Sequence, residues 1–215
     1  MNNFQLYIFD LDGTILDSKE DIAISVNYAL ERVGISPRPS EEIVKFVGYG
    51  ARKLIDDLFP ELPQDIKEEI LGHFREFYSS NPVIKSTLYP RTEEIIQSLK
   101  KNGRNIAVIT NKYESISIDI LKYFGIYEFI DMVVGADTTP EKKPNPLPVY
   151  YTLDKLNQRK EDTVIIGDSE ADIQAGKNAG ISTCLVLHGY GKKEIALSVK
   201  PDFVIRDFYD FEVER

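Results

Sequence analysis

Leu6-Tyr7-Ile8-Phe9-Asp10-Leu11-Asp12-Gly13-Thr14 carries the chain from an apolar run straight into an acidic turn. Positions 4–9 have the length of one β-strand, and a run that is continuous rather than alternating suits a strand covered on both faces. Ligands of open α/β sheets bind beyond the carboxyl ends of the strands, which is where Asp10 and Asp12 stand. Residues two apart on an extended backbone point to the same side, so the spacing directs both carboxylates toward one small volume. Two like charges that close are costly to ionise together, so either one keeps a proton or a cation lies between them. Taken alone, the stretch also reads as ordinary turn chemistry, with Asp-Gly making the turn and a solvated acid beside it. A calcium loop does not fit. It wants Gly at its sixth position and Glu at its twelfth, which counted from Asp10 are Ile15 and Asp21.

Working outward, further strand-length apolar runs occupy 105–110, 132–134, 164–166, 183–187 and 203–205. Helical patterns lie between them. Thr92 is placed to cap a helix carrying Ile95, Ile96 and Leu99 that stops at Gly103, and Ile116, Ile120, Leu121 and Phe124 form a stripe ending at Gly125. Strand and helix alternate from residue 88 onward, which reads as a doubly wound, mainly parallel, Rossmann-like α/β sheet. The stretch 18–84 breaks that rhythm. Ser18 and Asp21 open a helix with Ile22, Val26, Ala29, Leu30 and Val33 inward, closed by Gly34. Ser40 is placed to cap a short helix ending near Gly48, Leu54, Ile55 and Leu58 suggest another, and Ile66, Ile70, Phe74 and Phe77 a fourth. The expected organisation is an α/β core made of 1–17 and 85–215 with an all-helical module, 18–84, inserted after the first strand.

The 215 residues suit one large domain or one domain with an insertion. Lys plus Arg number 26 against 35 Asp plus Glu, a formal charge of −9, and basic residues never run longer than a dipeptide. That balance argues against nucleic acid or an anionic membrane as partner, so positive charge for an anionic substrate must be local. A single cysteine, Cys184, excludes an internal disulfide framework and a multi-cysteine zinc site, and it reads as strand core. His73 and His188 are too far apart for a histidine-rich metal motif; His73 reads as solvated and His188 as a loop residue without an evident partner. With no charged segment ahead of an apolar one at the start, and no apolar run near the ~18 to 20 residues that span a bilayer, the expectation is a cytoplasmic protein.

Three more pieces carry polar chemistry. Gly167-Asp168-Ser169-Glu170-Ala171-Asp172 follows a strand, with Asp172 one turn into the next helix, a place where acids also simply favour the helix N-terminus. Thr110 and Asn111 offer a hydroxyl and an amide at another strand exit. Lys142-Lys143-Pro144 puts a lysine before a backbone stiffened by proline. Each alone has a bland reading. Together they place several carboxylates, one lysine and neutral donors at one sheet edge. Acid in excess of base, with oxygen ligands only, implies a hard cation such as Mg²⁺.

In this order, Asp10-Leu11-Asp12-Gly13-Thr14 with Asp17-Ser18, Thr110-Asn111-Lys112, Lys143-Pro144 and Gly167-Asp168 through Asp172, the chain resembles the haloacid dehalogenase-like hydrolase superfamily. Its phosphoglycolate phosphatase-like branch is the nearest, and the likeness runs from about Phe4 to Phe211. The resemblance implies a helical cap over 18–84. It makes Asp10 the nucleophile that forms an aspartyl-phosphate, and Asp12 the general acid and then base. It implies Mg²⁺ held by Asp10, the backbone carbonyl of Asp12, and Asp168, with Asp172 in support. Thr110, Asn111 and Lys143 would hold the transferring oxygens. Asp12 sets the chain apart from the dehalogenase and phosphonate-cleaving branches. The implied substrate is a small phosphorylated metabolite resembling phosphoglycolate. The alternatives are an inorganic pyrophosphatase, a sugar-phosphate phosphatase or mutase, and a phosphate-binding module without turnover. Val47-Gly48-Tyr49-Gly50-Ala51-Arg52-Lys53 resembles the glycine-containing cap segment of that branch, and Arg52 is its candidate specificity residue, with a solvated helix arginine as the competing reading. Oligomeric state stays open.

Overall fold

The computed structural model describes residues 4–212. Strand β1 (Leu6–Phe9) leads through a turn to β2 (Leu16–Asp17), followed by helices α1 (Lys19–Arg32), α2 (Ser40–Val44), α3 (Ala51–Leu58) and α4 (Gln64–Ser80). The chain returns through β3 (Thr87–Leu88), which pairs antiparallel with β2. Strand and helix then alternate as α5 (Thr92–Lys101), β4 (Asn105–Ile109), α6 (Glu114–Tyr123), β5 (Met132–Val134), α7 (Leu147–Leu156), β6 (Thr163–Gly167), α8 (Glu170–Ala179), β7 (Ser182–Val186), α9 (Lys193–Ser198) and β8 (Phe203–Ile205).

The main sheet has six strands in the order β5-β4-β1-β6-β7-β8, all parallel. Numbered within the sheet, that is the doubly wound order 3-2-1-4-5-6, in which the direction of winding reverses between the first and fourth strands. Here those are β1 and β6. Side chains alternate across β1. Tyr7 and Phe9 join Ile95, Ile96, Leu99, Ile116 and Ile120 on the α5–α6 side, while Leu6 and Ile8 join Val149, Leu153, Ala175 and Ala179 on the α7–α8 side. Burial on both faces is why the run is continuously apolar. The expected strands form within a residue or two of their predicted limits. The α/β class and parallel winding are as expected.

Helices α1–α4 gather a separate apolar cluster around Val26, Leu30, Ile43, Ile55, Leu58, Ile70 and Phe74. Three helix starts differ from the sequence reading. Ser18 stands at the N-cap of α1, but its hydroxyl donates to Asp12 Oδ1 at 2.5 Å. The Ser18 and Lys19 N–H groups donate instead to the Tyr190 hydroxyl, at 2.6 and 3.1 Å. Ser40 and Thr92 are first helical residues rather than caps; the Thr92 hydroxyl reaches the Ile15 carbonyl at 3.3 Å. The ribbon of β2 with β3 went unread because strands of two residues have no period to detect. Among the described residues, no helix is long and apolar enough to cross a membrane.

Asp21, fully buried in α1, closes the base of the helical segment. Its carboxylate accepts the N–H groups of Ile84 (2.9 Å), Lys85 (2.7 Å) and Ser86 (2.9 Å) and the Ser86 hydroxyl (2.5 Å). Burial alone would push this carboxyl up. The Ser86 hydroxyl and the three N–H groups outweigh burial and hold it below its ordinary value. An acid depressed by folding stabilises the fold above its unfolded pKa, about 3.9, and loses that contribution as pH falls through its lower folded value. Asp21→Asn is therefore expected to cost about 2 to 3 kcal/mol near neutrality, the scale of hydrogen bonds to a charged group. The gap from wild type in denaturant unfolding should close only at strongly acidic pH. A gap independent of pH down to the unfolding edge would contradict this account.

Candidate active site

The reversal of winding between β1 and β6 builds the site. Asp10 is the first residue past β1, and its N–H still completes the sheet by donating to the Ile166 carbonyl at 2.9 Å. Asp168 leaves the end of β6, and Thr110 leaves β4 on the other side of β1. Lys143, its side chain 2% exposed, donates to Asp10 Oδ1 at 2.7 Å, Asp172 Oδ1 at 2.6 Å and the Ile109 carbonyl at 2.6 Å. Those three acceptors use all three N–H donors of the ammonium. Lys143 thus orients Asp10, and it meets a phosphoryl oxygen only by exchanging one of these partners. Burial works against the Lys143 ammonium, but Asp10 and Asp172 hold its pKa above the ordinary value.

Asp172 is itself fixed by a capping box at the start of α8, where its Oδ2 accepts the Ser169 N–H at 3.0 Å and hydroxyl at 2.5 Å. Asp168 Oδ2 accepts the N–H groups of Tyr190 at 2.7 Å and Gly191 at 2.9 Å. Gly13 has φ +83, and a Cβ there would run into the Asp168 carboxylate, so the Asp12-Gly13 turn is also a close approach between two parts of the site.

Oxygens of Asp10, Asp168 and Asp172 lie within 4.8 Å of one another, all three residues buried. Three carboxylates against one ammonium leave a formal charge of −2. Both oxygens of Asp172 are taken, but among the described residues Asp10 Oδ2 has no donor, and Asp168 Oδ1 has only the Thr14 hydroxyl at 3.5 Å. An all-oxygen set with that surplus charge and two open oxygens fits a divalent hard cation. Burial raises the Asp10 carboxyl well above its usual range, with Asp172 and Asp168 adding and Lys143 opposing. Burial and then the Asp172 charge push Asp168 up to about 7.

Asp12 stands apart from this cluster. Its Oδ1 accepts from Lys112 Nζ at 2.6 Å and from Ser18 Oγ at 2.5 Å. The two acids of the first turn therefore have different lysines, although both line one cavity of about 350 Å³ between the sheet edge and the helical segment. The sequence reading counted one lysine; the second, Lys112, is buried, donates to the Tyr78 hydroxyl at 2.6 Å and lies 4.6 Å from the centre of that ring. Burial opposes its charge, but Asp12 and Tyr78 raise its pKa above the ordinary value. Lys112 sits inside the Thr110-Asn111-Lys112 stretch, so its signal was present. Lys142, the residue before Lys143, donates instead to the Tyr49 carbonyl at 2.7 Å.

Thr110 is buried, and its Oγ1 accepts the Lys112 N–H at 3.2 Å. Asn111 Nδ2 donates to the carbonyls of Gly48 at 2.9 Å and Lys143 at 3.1 Å, joining the helical segment to the sheet edge. Tyr49 makes a second bridge, its hydroxyl 3.3 Å from Glu170 Oε2. Arg52 lines the cavity, but its fork is held by Glu68 through two contacts of 2.5 and 2.8 Å.

His188 differs from its reading as a partnerless loop residue. Its Nε2 lies 2.9 Å from the Thr14 carbonyl, and its ring stacks on Tyr89 with centroids 3.9 Å apart. Burial lowers its pKa, so the neutral ring donates to that carbonyl and braces the first turn from behind. Cys184 is buried in β7, its thiol pushed up to about 12 by burial, and acts as core. Tyr190 was not singled out at all. Its N–H holds Asp168 while its hydroxyl holds the start of α1 and reaches Asp17 Oδ1 at 2.8 Å. Neither partner is close in sequence, so no local pattern marks it.

The model of the haloacid dehalogenase-like hydrolases matches residues 7–186. A phosphoglycolate phosphatase of Aquifex aeolicus is 38% identical over 201 residues, covering 94% of this chain and 92% of that protein. One from Vibrio cholerae is 35% identical over 214 residues, covering 96% and 95%. A crystal structure described as a predicted phosphoglycolate phosphatase from Haemophilus somnus superposes with a TM-score of 0.91 at 32% identity, covering 98% of this chain and 97% of that one. The chain belongs to the haloacid dehalogenase-like hydrolases. Within them it falls in the phosphoglycolate phosphatase-like branch, and it is a hydrolase of phosphoric monoesters.

Proposed function

We propose that the protein hydrolyses a small phosphomonoester bearing a carboxylate, of which phosphoglycolate is the type, with Mg²⁺ bound at the acidic cluster and through an aspartyl-phosphate. The observation that carries this reading is the open Oδ2 of Asp10, a buried carboxylate that lines the cavity and is clamped through its other oxygen by Lys143. Asp10 and Asp168 would hold the cation through their open oxygens, with the Asp12 backbone carbonyl as a further ligand and Asp172 tying the cluster to Lys143. When bound, Mg²⁺ supplies charge neutralisation at the phosphoryl oxygens.

The chain's own residues do the remaining work. A carboxylate oxygen of Asp10 attacks phosphorus as the ester P–O bond breaks, and Asp12 delivers a proton to the departing oxygen. Asp12 then takes a proton from the water that attacks phosphorus and releases Asp10. Splitting one displacement into two lets a fixed carboxylate begin what water finishes. Thr110, Asn111 and Lys143 position the transferring group, since phosphoryl transfer depends mainly on placement and charge. The helical segment 18–84 acts as a cap. Its contacts through Gly48, Tyr49 and Tyr78 seat it over Asp10 and Asp12, excluding bulk water.

A panel of phosphoglycolate, pyrophosphate, nucleoside monophosphates and hexose phosphates tests the reading. Phosphoglycolate is expected to give the highest kcat/KM. A higher value for pyrophosphate or for a hexose phosphate, or return of the phosphoryl group to a sugar instead of water, would replace it.

A further inference from the structure

Among the described residues, Arg75 Nε and Asn111 Oδ1 are the buried side-chain polar atoms without a hydrogen-bond partner, and both residues line the cavity that holds Asp10 and Asp12. Buried polar groups are nearly always paired, and one left unpaired is costly, so two orphans in one cavity mark where a ligand's polar groups belong. One is a donor on the helical side and the other an acceptor at the sheet edge. The donor is the more informative, because it belongs to a cation.

The cavity's cations differ in what they already hold. Lys112 is paired with Asp12, and Lys142 donates to a backbone carbonyl. Arg52 is gripped by Glu68, whose Oε1 also accepts from Gln64 Nε2 at 2.8 Å. Glu68 is thus fully engaged. Arg75, on α4, forms an ion pair with no Asp or Glu among the described residues. Its guanidinium lies 5.0 Å from the centre of the Tyr113 ring, immediately after Lys112 in the opposite wall. Stacking of this kind fixes the plane of the fork and leaves its N–H groups free to donate in that plane. Val47, Leu54 and Phe74 supply apolar wall, and about 350 Å³ admits only a small molecule.

We propose that Arg75 is the specificity-determining residue of this enzyme. Its guanidinium takes the substrate carboxylate by paired charge-assisted hydrogen bonds, the geometry in which arginine exceeds lysine, while the phosphoryl group lies on Asp10. Arg52, whose matching face is already spent on Glu68, does not fill this role. The inference rests on the carboxylate-bearing substrate proposed above and assigns the residue that reads it.

The test compares phosphoglycolate with 2-hydroxyethyl phosphate, in which CH₂OH replaces the carboxylate, in wild type, Arg75→Met, Arg75→Lys and Arg52→Met. Met keeps a long stem against Tyr113 without the fork; Lys keeps the charge without the paired donors. Arg75→Met is expected to raise KM for phosphoglycolate by about 10- to 100-fold, the range for losing hydrogen bonds to a charged group. kcat should fall by less than KM rises. The preference for phosphoglycolate over the hydroxyethyl ester should collapse by a similar factor, and Arg75→Lys should recover part of it. Equal losses on both esters would reveal a purely structural stack on Tyr113 and overturn the assignment. So would an intact preference in Arg75→Met, or its collapse in Arg52→Met instead. If the wild type shows no preference for the carboxylated ester, the substrate reading and the Arg75 assignment fall together; if it does and Arg75→Met retains it, only the assignment falls.

Discussion

Asp10→Asn is expected to lower kcat on the order of 10⁴-fold or more, the scale on which removal of a covalent nucleophile acts. The substitution keeps the shape of the side chain. Its carbonyl oxygen can still accept from Lys143 Nζ, which in the wild type stands 2.7 Å from Oδ1. What it removes is the second oxygen's charge, the one with no other donor among the described residues. The variant should not pay for this in stability. Burial holds the Asp10 carboxyl well above its ordinary value, so its ionised form weakens the metal-free fold once the pH exceeds the unfolded carboxylate pKa. Asn relieves that, and metal-free Asp10→Asn should melt at or above the wild-type temperature near neutral pH. A folded variant that keeps near-native turnover, in a preparation free of other phosphatases, would remove Asp10 as the nucleophile.

Removal of divalent cations is expected to abolish turnover, with Mg²⁺ restoring it and Ca²⁺ restoring little. The open oxygens of Asp10 and Asp168 belong to side chains fixed by Lys143 on one side and by the Tyr190 and Gly191 N–H groups on the other. Such a rigid pair suits the short, near-octahedral coordination of Mg²⁺ better than the longer and looser sphere of Ca²⁺. Binding is visible without turnover. A cation that meets a cluster of formal charge −2 stabilises only the folded state, so the melting temperature should climb with Mg²⁺ concentration. It should climb less in Asp168→Asn. Full activity in excess chelator, or a melting temperature indifferent to Mg²⁺, would contradict the assignment of this cluster.

The sheet and the acids of the site were legible because both are local signals. Asp10 and Asp168 each directly follow an apolar strand, and a doubly wound sheet brings two such strand ends together without further information. Lys143 was legible through Pro144, and Lys112 stood in the open beside Asn111 yet was passed over, because a lysine at a strand exit looks the same whether it reaches solvent or a buried acid. Tyr190, His188 and Asp21 were not legible in this way. The groups they hold, Asp168 and the α1 start, the Thr14 carbonyl, and the chain at 84–86, lie far away in sequence. Competing acceptors explain the misread caps. Ser18 and Thr92 have local capping positions available, but tertiary acceptors, Asp12 and the Ile15 carbonyl, claim their hydroxyls. For Arg52 the sequence showed a fork after a glycine turn and could not show that Glu68 fills it.

The central place of β1 also fixes an order of assembly during synthesis. Its flanking partners are β4, beginning at Asn105, and β6, beginning at Thr163. By contrast, α1 to α4 are contiguous and bury an apolar cluster of their own. Contacts close in sequence cost little loop entropy and form early, whereas distant pairings wait for their partner strands. As the chain emerges from the ribosome, the helices can therefore gather while β1 is still unpaired. Asp10 is made well before its neighbours Lys143, Asp168 and Asp172, the nearest of which follows it by 133 residues. A nascent chain truncated before β6 carries Asp10 without the lysine-locked acidic cluster around it, so chemistry can switch on only after β6 and the start of α8 have been made.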